Sequence, residues 1–228
     1  MPSARRVEPE WLDELPAHDP RAQRSRRDLE RINSLMGNAR IVAREIEREL
    51  PSGFASIAEI GAGSGTFLAQ LARTLARRDV EALLVDRQDV VGLEAVAALA
   101  SRGWTAKAAQ CDAFEWLART PPLDVIVANL FLHHFEPARL AAMLALAAGR
   151  SRLFVACEPR RSSMALMGAR LLGAIGCNDV SRHDAVVSVR AGFAGAEISS
   201  LWPAGDGWTL REVPRAPFSH LFVASRRP

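Results

Sequence analysis

The residues with the clearest chemical meaning are three glycines that follow a short apolar run. The run is Ile57–Ile60, and the glycines are Gly61, Gly63 and Gly65. Glycine lets the chain turn sharply and lets a ligand approach the backbone where a Cβ would collide. A helix predicted to begin at Thr66 offers free N–H groups to such a ligand. The pattern therefore predicts a nucleotide-binding turn between a strand and a helix.

The spacing of this loop and the acid before it distinguish two kinds of nucleotide site. The nicotinamide fingerprint is G-x-G-x-x-G/A, but position 66 is Thr and the third glycine comes one residue earlier. Glu59 would repel a pyrophosphate and attract a ligand that carries ammonium and sulfonium groups. The loop thus favours a cationic nucleoside cofactor, and the alternative is a glycine-rich turn without a ligand.

A second acid lies where the ribose of a nucleoside would be bound. Asp86 follows the apolar run Ala82–Val85, and an acid at a strand end some 20 residues after the loop can accept both ribose hydroxyls. The alternative is a helix N-cap for the segment from Val90 onward, a role that Gln88 or Asp89 could also fill.

Alternating runs of strand and helix length place these residues in a parallel sheet covered on both faces. The strand-length runs are Ile57–Ile60, Ala82–Val85, Val125–Ala128 and Leu153–Ala156, and the helix-length runs are Thr66–Arg77, Val90–Arg102 and Ala138–Ala148. The fold class is therefore a doubly wound, Rossmann-like α/β fold.

The two ends of the chain depart from this alternation. Late strands at Ala196–Trp202 and Ser219–Ala224, with no helix between them, predict an antiparallel pair. Ser181 with Asp184 resembles a helix-opening capping pair, and Gly192 resembles a helix stop. Before the sheet, we expect an irregular arm over 1–20, a helical region over 25–50 with a break at Gly37-Asn38, and a division into a lid (1–50) and a main domain (51–228). Polar residues that are candidates for reaching the cofactor cleft from the lid are Asn33, Asn38 and Arg40.

The loop and Asp86 resemble motifs I and II of the class I S-adenosylmethionine-dependent methyltransferases, and the resemblance covers roughly 54–225. It implies a seven-stranded sheet with a closing antiparallel pair and S-adenosylmethionine as cofactor. It also implies that Asp112 and the amide of Ala113 bind the adenine, and that the fourth strand ends beside the methionine part. The cofactor residues it implies are Glu59, Gly61, Ala62, Gly63, Gly65, Asp86, Arg87, Asp112, Ala113, Asn129 and Leu130.

His133 and His134 are the candidate catalytic bases because they follow this fourth strand. Methyl transfer is an in-line displacement that depends on alignment, and a base helps when the acceptor must lose a proton. We expect only one of two neighbouring histidines to face the site, and His134 is preferred. Asn129 leads into apolar residues instead of clustered acids, so we expect no metal.

The acceptor is expected to be a small, largely apolar molecule that is methylated on oxygen, with carbon as the alternative. Met164, Met167 and Leu171 have spacings that suit either an adaptable pocket wall or an ordinary core helix, and Phe131 and Phe135 add aromatic surface. The pattern resembles small bacterial methyltransferases associated with type III polyketide synthases, which implies a phenolic polyketide acceptor.

Composition excludes several other classes of protein. The 228 residues carry a net charge of only +3, the three cysteines form no CxxC pair, and no apolar run is long enough to cross a bilayer. A cytoplasmic protein without a nucleic-acid partner is expected, and the oligomeric state stays open. The arginines of the N-terminal segment are interpreted as a solvated helix face; they are Arg21, Arg24, Arg26, Arg27 and Arg31.

Three other functions compete with small-molecule methylation. The first is an RNA or protein methyltransferase. Its base-modifying members typically carry an Asn/Asp-Pro-Pro-Tyr-like motif at the fourth strand, which Asn129-Leu130-Phe131 lacks, so base flipping is disfavoured. A nicotinamide oxidoreductase is disfavoured by Glu59 and Thr66. A non-catalytic cofactor-binding protein is the last alternative.

Overall fold

The structure is a computed structural model, and it describes residues 4–16, 18–203, 205, 207–215 and 217–226. Parts of the predicted N-terminal arm, residues 1–3 and 17, lie outside the described residues. The division into a lid over 1–50 and a main domain over 51–228 stays a prediction.

The described residues form one seven-stranded sheet. Its strands are Ser56–Ile60 (β1), Val80–Asp86 (β2), Trp104–Gln110 (β3), Leu123–Asn129 (β4), Ser151–Pro159 (β5), Trp208–Arg215 (β6) and Ser219–Arg226 (β7). The spatial order is β3-β2-β1-β4-β5-β7-β6, and β7 is antiparallel to both of its neighbours while the other pairs are parallel. The predicted doubly wound, Rossmann-like sheet with a closing antiparallel pair is confirmed.

Helices cover both faces of the sheet. They are Trp11–Glu14 (α1), Pro20–Met36 (α2), Asn38–Glu49 (α3), Thr66–Thr74 (α4), Leu93–Ala100 (α5), Ala113–Arg119 (α6), Pro137–Arg150 (α7), Ser163–Arg170 (α8) and Asp179–Ala191 (α9). Buried side chains of α3, α4 and α5 pack on one face, and those of α6 and α7 pack on the other. Since β1 to β5 run parallel, their carboxyl ends meet at one edge of the sheet, where ligands of this fold bind.

The predicted break in the N-terminal helical region is confirmed at Gly37. This residue has a φ of +69°, closes α2 and opens α3. Helix α2 itself begins with Pro20 at its first position, and the Asp19 carboxylate accepts a hydrogen bond from the Arg21 amide. Proline in the first turn costs no hydrogen bond because that amide has no partner inside a helix.

The first of the two predicted late strands is wrong. Ala196–Trp202 contains a 3-10 turn, and the edge strand is β6. Buried Ile198 and Trp202 are four residues apart, which is a helical spacing, and the Glu212 carboxylate accepts hydrogen bonds from the amides of Ile198 and Ser199. Strand β6 is difficult to recognise in the sequence because it contains charged side chains and Pro214. An edge strand tolerates proline because only one of its two edges is paired.

The predicted capping pair at Ser181 and Asp184 is also wrong, because α9 begins two residues earlier than Ser181. Asn178 is the N-cap, and its side chain accepts a hydrogen bond from the Ser181 amide at 2.9 Å. Asp184 instead accepts hydrogen bonds from the amides of Trp11 and Leu12, so it caps α1 from a distance. Gly192 does end α9, as predicted.

None of the helices that the structure describes combines the length and the apolar character needed to span a lipid bilayer.

Candidate functional site

A cavity of about 570 Å³ opens at the carboxyl ends of β1 to β4. Its volume lies within the range of small-molecule sites. It brings together every predicted site residue except Gly65: Glu59, Gly61, Ala62, Gly63, Asp86, Arg87, Asp112, Ala113, Asn129, Leu130, His133 and His134.

The three glycines of the loop are needed for two different reasons. All have positive φ angles, which favour glycine. A Cβ on Gly61 would lie 2.2 Å from the Phe131 ring, and a Cβ on Gly65 would lie 2.9 Å from Leu84. Only Gly63 has open space around the position of a Cβ. The loop thus offers a ligand its middle glycine, while the other two permit close packing inside the protein.

The Asp86 carboxylate holds the loop from the neighbouring strand. Its Oδ2 accepts a hydrogen bond from the Gly63 amide at 2.8 Å, and its Oδ1 accepts one from the Gln88 amide at 2.8 Å. The alternative role as a helix N-cap does not apply, because Gly92 is the N-cap of α5. Each carboxylate oxygen keeps a second lone pair that can accept a ligand hydroxyl.

Glu59 is almost completely buried at the end of β1, with 1% of its surface exposed. Its Oε2 accepts no hydrogen bond from the described residues. Burial raises the pKa of Glu59 well above its usual range; the charge of Asp86 adds to this, while a hydrogen bond from the Leu68 backbone opposes it. An acceptor without a partner in a cavity wall suits a ligand that brings a donor.

Asp112 and Asn129 lie at the ends of β3 and β4. Asp112 is the N-cap of α6 and accepts a hydrogen bond from the Phe114 amide at 2.8 Å. The amide of Ala113, the first residue of that helix, has no partner inside the helix and is available to a ligand. Asn129 is buried, and its Oδ1 accepts a hydrogen bond from Asn38 Nδ2 at 2.9 Å.

Helix α2 contributes cavity residues that were not among the predicted cofactor residues. The interpretation of Arg26 as part of a solvated face is incomplete, because it lines the cavity and donates to Gln88 Oε1. Glu30 accepts hydrogen bonds from the hydroxyls of Ser64 and Thr66. Glu30 and Thr66 are 36 residues apart in the chain, so no local sequence pattern predicts their contact.

Of the three polar residues named as candidates, Asn33 lines the cavity, Asn38 is buried and contacts the cavity residue Asn129, and Arg40 is exposed. Asn33 lines the cavity, and its Oδ1 is buried without a hydrogen-bond partner among the described residues.

Both histidines after β4 line the same cavity, with their ring centroids 4.2 Å apart. The expectation that only one of them faces the site is wrong. They lie in a 3-10 turn, Leu132–His134, which does not alternate side chains between two faces as a strand would.

His133 is buried between two carboxylates. Its Nδ1 lies 2.9 Å from Glu158 Oε2, and its Nε2 lies 3.3 Å from Glu10 Oε1. Burial opposes a proton on the ring, but the hydrogen bonds to Glu10 and Glu158 outweigh it and raise the pKa of His133 to about 9. Both ring nitrogens are therefore occupied, and the ring is a cation at neutral pH.

His134 has the opposite character. Burial and the charge of His133 lower the pKa of His134 below its usual value, although Glu10, Asp13 and Glu158 act in the other direction. Its Nδ1 lies 3.6 Å from Asp13 Oδ2, and about a quarter of its side chain is exposed. A neutral imidazole on the cavity wall is able to accept a proton.

The N-terminal arm forms one wall of the cavity, although the sequence predicted it to be irregular. The Arg5 guanidinium donates to the carbonyl oxygens of His133, Phe135 and Ala191. Further along, Trp11 stacks on His183 with ring centroids 3.9 Å apart. The arm therefore lies across α9 and against the histidine turn, which its composition does not indicate.

The family model described as a methyltransferase domain matches residues 57–150, which span the glycine loop, Asp86, Asp112 and the two histidines. Over these residues the chain is similar to a methyltransferase domain.

Solved structures with the same fold include three methyltransferases whose names give different substrates. The plantazolicin methyltransferase BpumL, in complex with S-adenosylhomocysteine, has a TM-score of 0.69 at 12% identity over 92% of each chain. Magnesium protoporphyrin IX methyltransferase from Synechocystis PCC 6803 gives 0.55 at 15% identity over 84% of this chain and 83% of that one. The mitomycin 7-O-methyltransferase MmcR gives 0.61 at 19% identity, over 95% of this chain and 60% of that one. No curated protein sequence matches this chain.

Neither alternative for Met164, Met167 and Leu171, a pocket wall or a core helix, is what the structure shows. Met164, Met167 and Leu171 are each more than half exposed, and none of them lines the cavity. Their spacing suits an apolar face, but α8 turns that face outward and packs on α9 with its small residues. The apolar residues that do line the site include Phe131 and Phe135, whose ring centroids lie 5.1 Å apart.

Proposed function

We propose that this methyltransferase transfers a methyl group from S-adenosylmethionine to the hydroxyl group of a small aromatic acceptor, with His134 as the base. The observation that carries the proposal is that one cavity joins the predicted cofactor residues to a neutral histidine and two phenylalanine rings.

The cofactor lies along the strand ends in this proposal. The adenine is bound by Asp112 and the Ala113 amide, and the ribose hydroxyls by Asp86. The methionine part lies at Gly61, Ala62, Gly63, Asn129 and Leu130, with Glu59 beneath it and Arg87 beside the nucleoside. The open space at Gly63 and the free Oε2 of Glu59 fit this group.

When bound, the cofactor supplies an electrophilic methyl group on a sulfonium sulfur. The residues of the chain orient the acceptor, exclude water and take up a proton. Phe131 and Phe135 present aromatic faces to a flat ring, and His134 accepts the hydroxyl proton as the acceptor oxygen becomes a nucleophile.

His134 is preferred to His133 because of what each ring already contacts. His133 donates to Glu158 and Glu10, so accepting another proton is not open to it. We assign it the role of holding the arm and the turn in place. The nearest carboxylate to His134 is Asp13, 3.6 Å away, which can orient the ring once the proton has moved.

No metal is needed in this proposal. Ligand-type atoms of Glu10, His133 and His134 lie within 4.8 Å of one another. Both ring nitrogens of protonated His133 donate to carboxylates, so neither offers a lone pair to a divalent cation. We expect turnover to survive chelation by EDTA; a loss of activity that zinc or magnesium restores would contradict this.

An aromatic hydroxyl is the proposed acceptor group, and phenolic polyketides are the proposed class. The description of MmcR as a 7-O-methyltransferase supports oxygen as the methylated atom. The acceptor contacts Phe131 and Phe135 instead of the methionines of α8.

Two measurements test the proposal. Calorimetry should detect binding of S-adenosylhomocysteine and no binding of NAD. Incubation of S-adenosylmethionine, labelled at the methyl group, with a panel of phenols should give O-methyl products by mass spectrometry. Transfer only to carbon or nitrogen would overturn the choice of acceptor atom, and transfer to none of the phenols would overturn the choice of acceptor class.

A further inference from the structure

Two buried oxygen atoms in the cavity wall have no hydrogen-bond partner among the described residues. They are Oδ1 of Asn33, on α2, and Oε2 of Glu59, at the end of β1. Both residues line the cavity. A buried acceptor without a donor costs roughly 1–3 kcal/mol, so two in one cavity point to a ligand that carries N–H groups.

Contacts on either side of Asn33 position it above the start of the glycine loop. Glu30, one helical turn earlier on the same face, accepts a hydrogen bond from the Ser64 hydroxyl at 2.8 Å. Asn38, at the start of α3, donates to Asn129 at 2.9 Å. Asn33 therefore lies, along the chain, between a residue bonded to the glycine loop and one bonded to the end of β4, and it lines the cavity itself.

The order of the strands indicates which part of the cofactor reaches this region. With the adenine at β3 and the ribose at β2, as in the proposed function on which this inference rests, the chain of the amino acid continues toward β1 and β4. That part of S-adenosylmethionine carries an ammonium group, a carboxylate and the sulfonium.

The chemistry of the two oxygens selects among these groups. A carboxylate beside Glu59 would add a second anion to a buried site, which is unfavourable. An ammonium group has three N–H donors and a positive charge, so it satisfies a carboxylate oxygen and an amide oxygen together.

We infer that Asn33 of α2 binds the α-ammonium group of the cofactor, together with Glu59. The N-terminal helix is then part of the cofactor site and distinguishes cofactors that carry the amino-acid moiety from nucleosides that lack it. Burial raises the pKa of Glu59, and a bound cation would offset that cost.

The experiment compares two ligands that differ in the amino-acid moiety. S-adenosylhomocysteine carries it, and 5′-methylthioadenosine shares the nucleoside and the sulfur but lacks it. We expect Asn33→Ala to weaken binding of S-adenosylhomocysteine about tenfold or more, because a hydrogen bond to a charged group is lost. Calorimetric affinity for 5′-methylthioadenosine should not change.

Two further variants control for structural effects. Asn33→Asp keeps an acceptor oxygen and should retain the affinity for S-adenosylhomocysteine that Asn33→Ala loses. Ser34→Ala changes an exposed neighbour on the same helix and should alter neither affinity.

Equal losses for both ligands in Asn33→Ala, or no loss for either, would overturn the inference, because a residue that only packs α2 cannot distinguish the two. If the unaltered protein binds neither ligand, the proposed function fails first. Thermal unfolding of each variant confirms that it is folded.

Discussion

The proposed cofactor side and the proposed acceptor side of the cavity are built in different ways. On the cofactor side, Gly63 and Asp86 belong to one strand–helix–strand segment and bond to each other directly. On the acceptor side, Glu10 reaches His133 across 123 residues, and Arg5 reaches Ala191 across 186. Contacts within one segment of the chain build the cofactor side, and contacts between distant segments build the acceptor side. Substitutions on the two sides should therefore affect different properties of the protein.

The largest effect is expected on stability, from removing the acid at the centre of the acceptor side. Glu158 is fully buried and accepts hydrogen bonds from the amides of Phe131, Leu132 and His133 as well as from the His133 ring. Glu158→Leu removes one of the two carboxylates from a buried cation and leaves three amides without their acceptor, and it should lower the free energy of unfolding by about 3–5 kcal/mol.

Urea denaturation measures this loss, and Glu115→Leu, at an exposed position on α6, is the control. A loss as small as that of the control would mean that the charged cluster does not hold the acceptor side together.

The next largest effect is expected on turnover, from the neutral histidine. His134→Ala should lower kcat about 100-fold and leave the affinity for S-adenosylhomocysteine intact, while His18→Ala, at an exposed turn, should change neither. Equal turnover in the two variants would remove His134 from the mechanism.

The pH profile gives a second measure of the same residue. A base acts when it is deprotonated, and burial beside His133 lowers the pKa of His134 below 6.5 despite Glu10, Asp13 and Glu158. The rate kcat/KM should therefore be constant near pH 7 and fall only as the pH drops below 6.5. A rate that is still rising above pH 7 would contradict this assignment.

On the cofactor side, Asp86→Ala should weaken binding of S-adenosylhomocysteine about 100-fold. The variant loses the hydrogen bond that holds the Gly63 amide and the proposed bonds to the ribose, each to a charged group. Asp89→Ala, three residues away and exposed, is the control in the same calorimetric titration. Similar affinities in both variants would contradict the ribose role.

The smallest expected effect is on the number of protons released when S-adenosylhomocysteine binds. Burial raises the pKa of Glu59 in the free protein, and a bound ammonium group favours the ionised carboxylate. Binding of S-adenosylhomocysteine should therefore release a proton, and affinity should increase with pH. Titrations in phosphate and Tris should give different apparent enthalpies, and Glu59→Gln should abolish the difference. Equal enthalpies for the unaltered protein would contradict this coupling.

The sheet and the glycine loop could be predicted because they depend on local pattern. Apolar runs identified β1, β2, β4 and β5, and glycine spacing identified the turn. Strand β3 was missed because its residues, Trp104–Gln110, are mainly small or polar, as suits an edge strand. Strand β6 was missed for a similar reason: Pro214 and its charged neighbours are typical of loops.

The acceptor side could be predicted only in part. The histidines were found from their place after β4, but their difference in charge comes from Glu10 and Glu158, which only the fold brings to them. The partners of Glu30 and Asp184 depend in the same way on how α2 and α1 pack. A pattern within one helix cannot indicate these contacts.

The long reach of the N-terminal arm bears on the order in which the molecule folds. Arg5 and Glu10 bond to Ala191 and Ser188, so these residues cannot form their native contacts until α9 is in place. Contacts this distant in the chain close slowly, because a long loop loses entropy before it gains any stabilisation. We therefore expect the cofactor half to assemble early and the acceptor wall to form last.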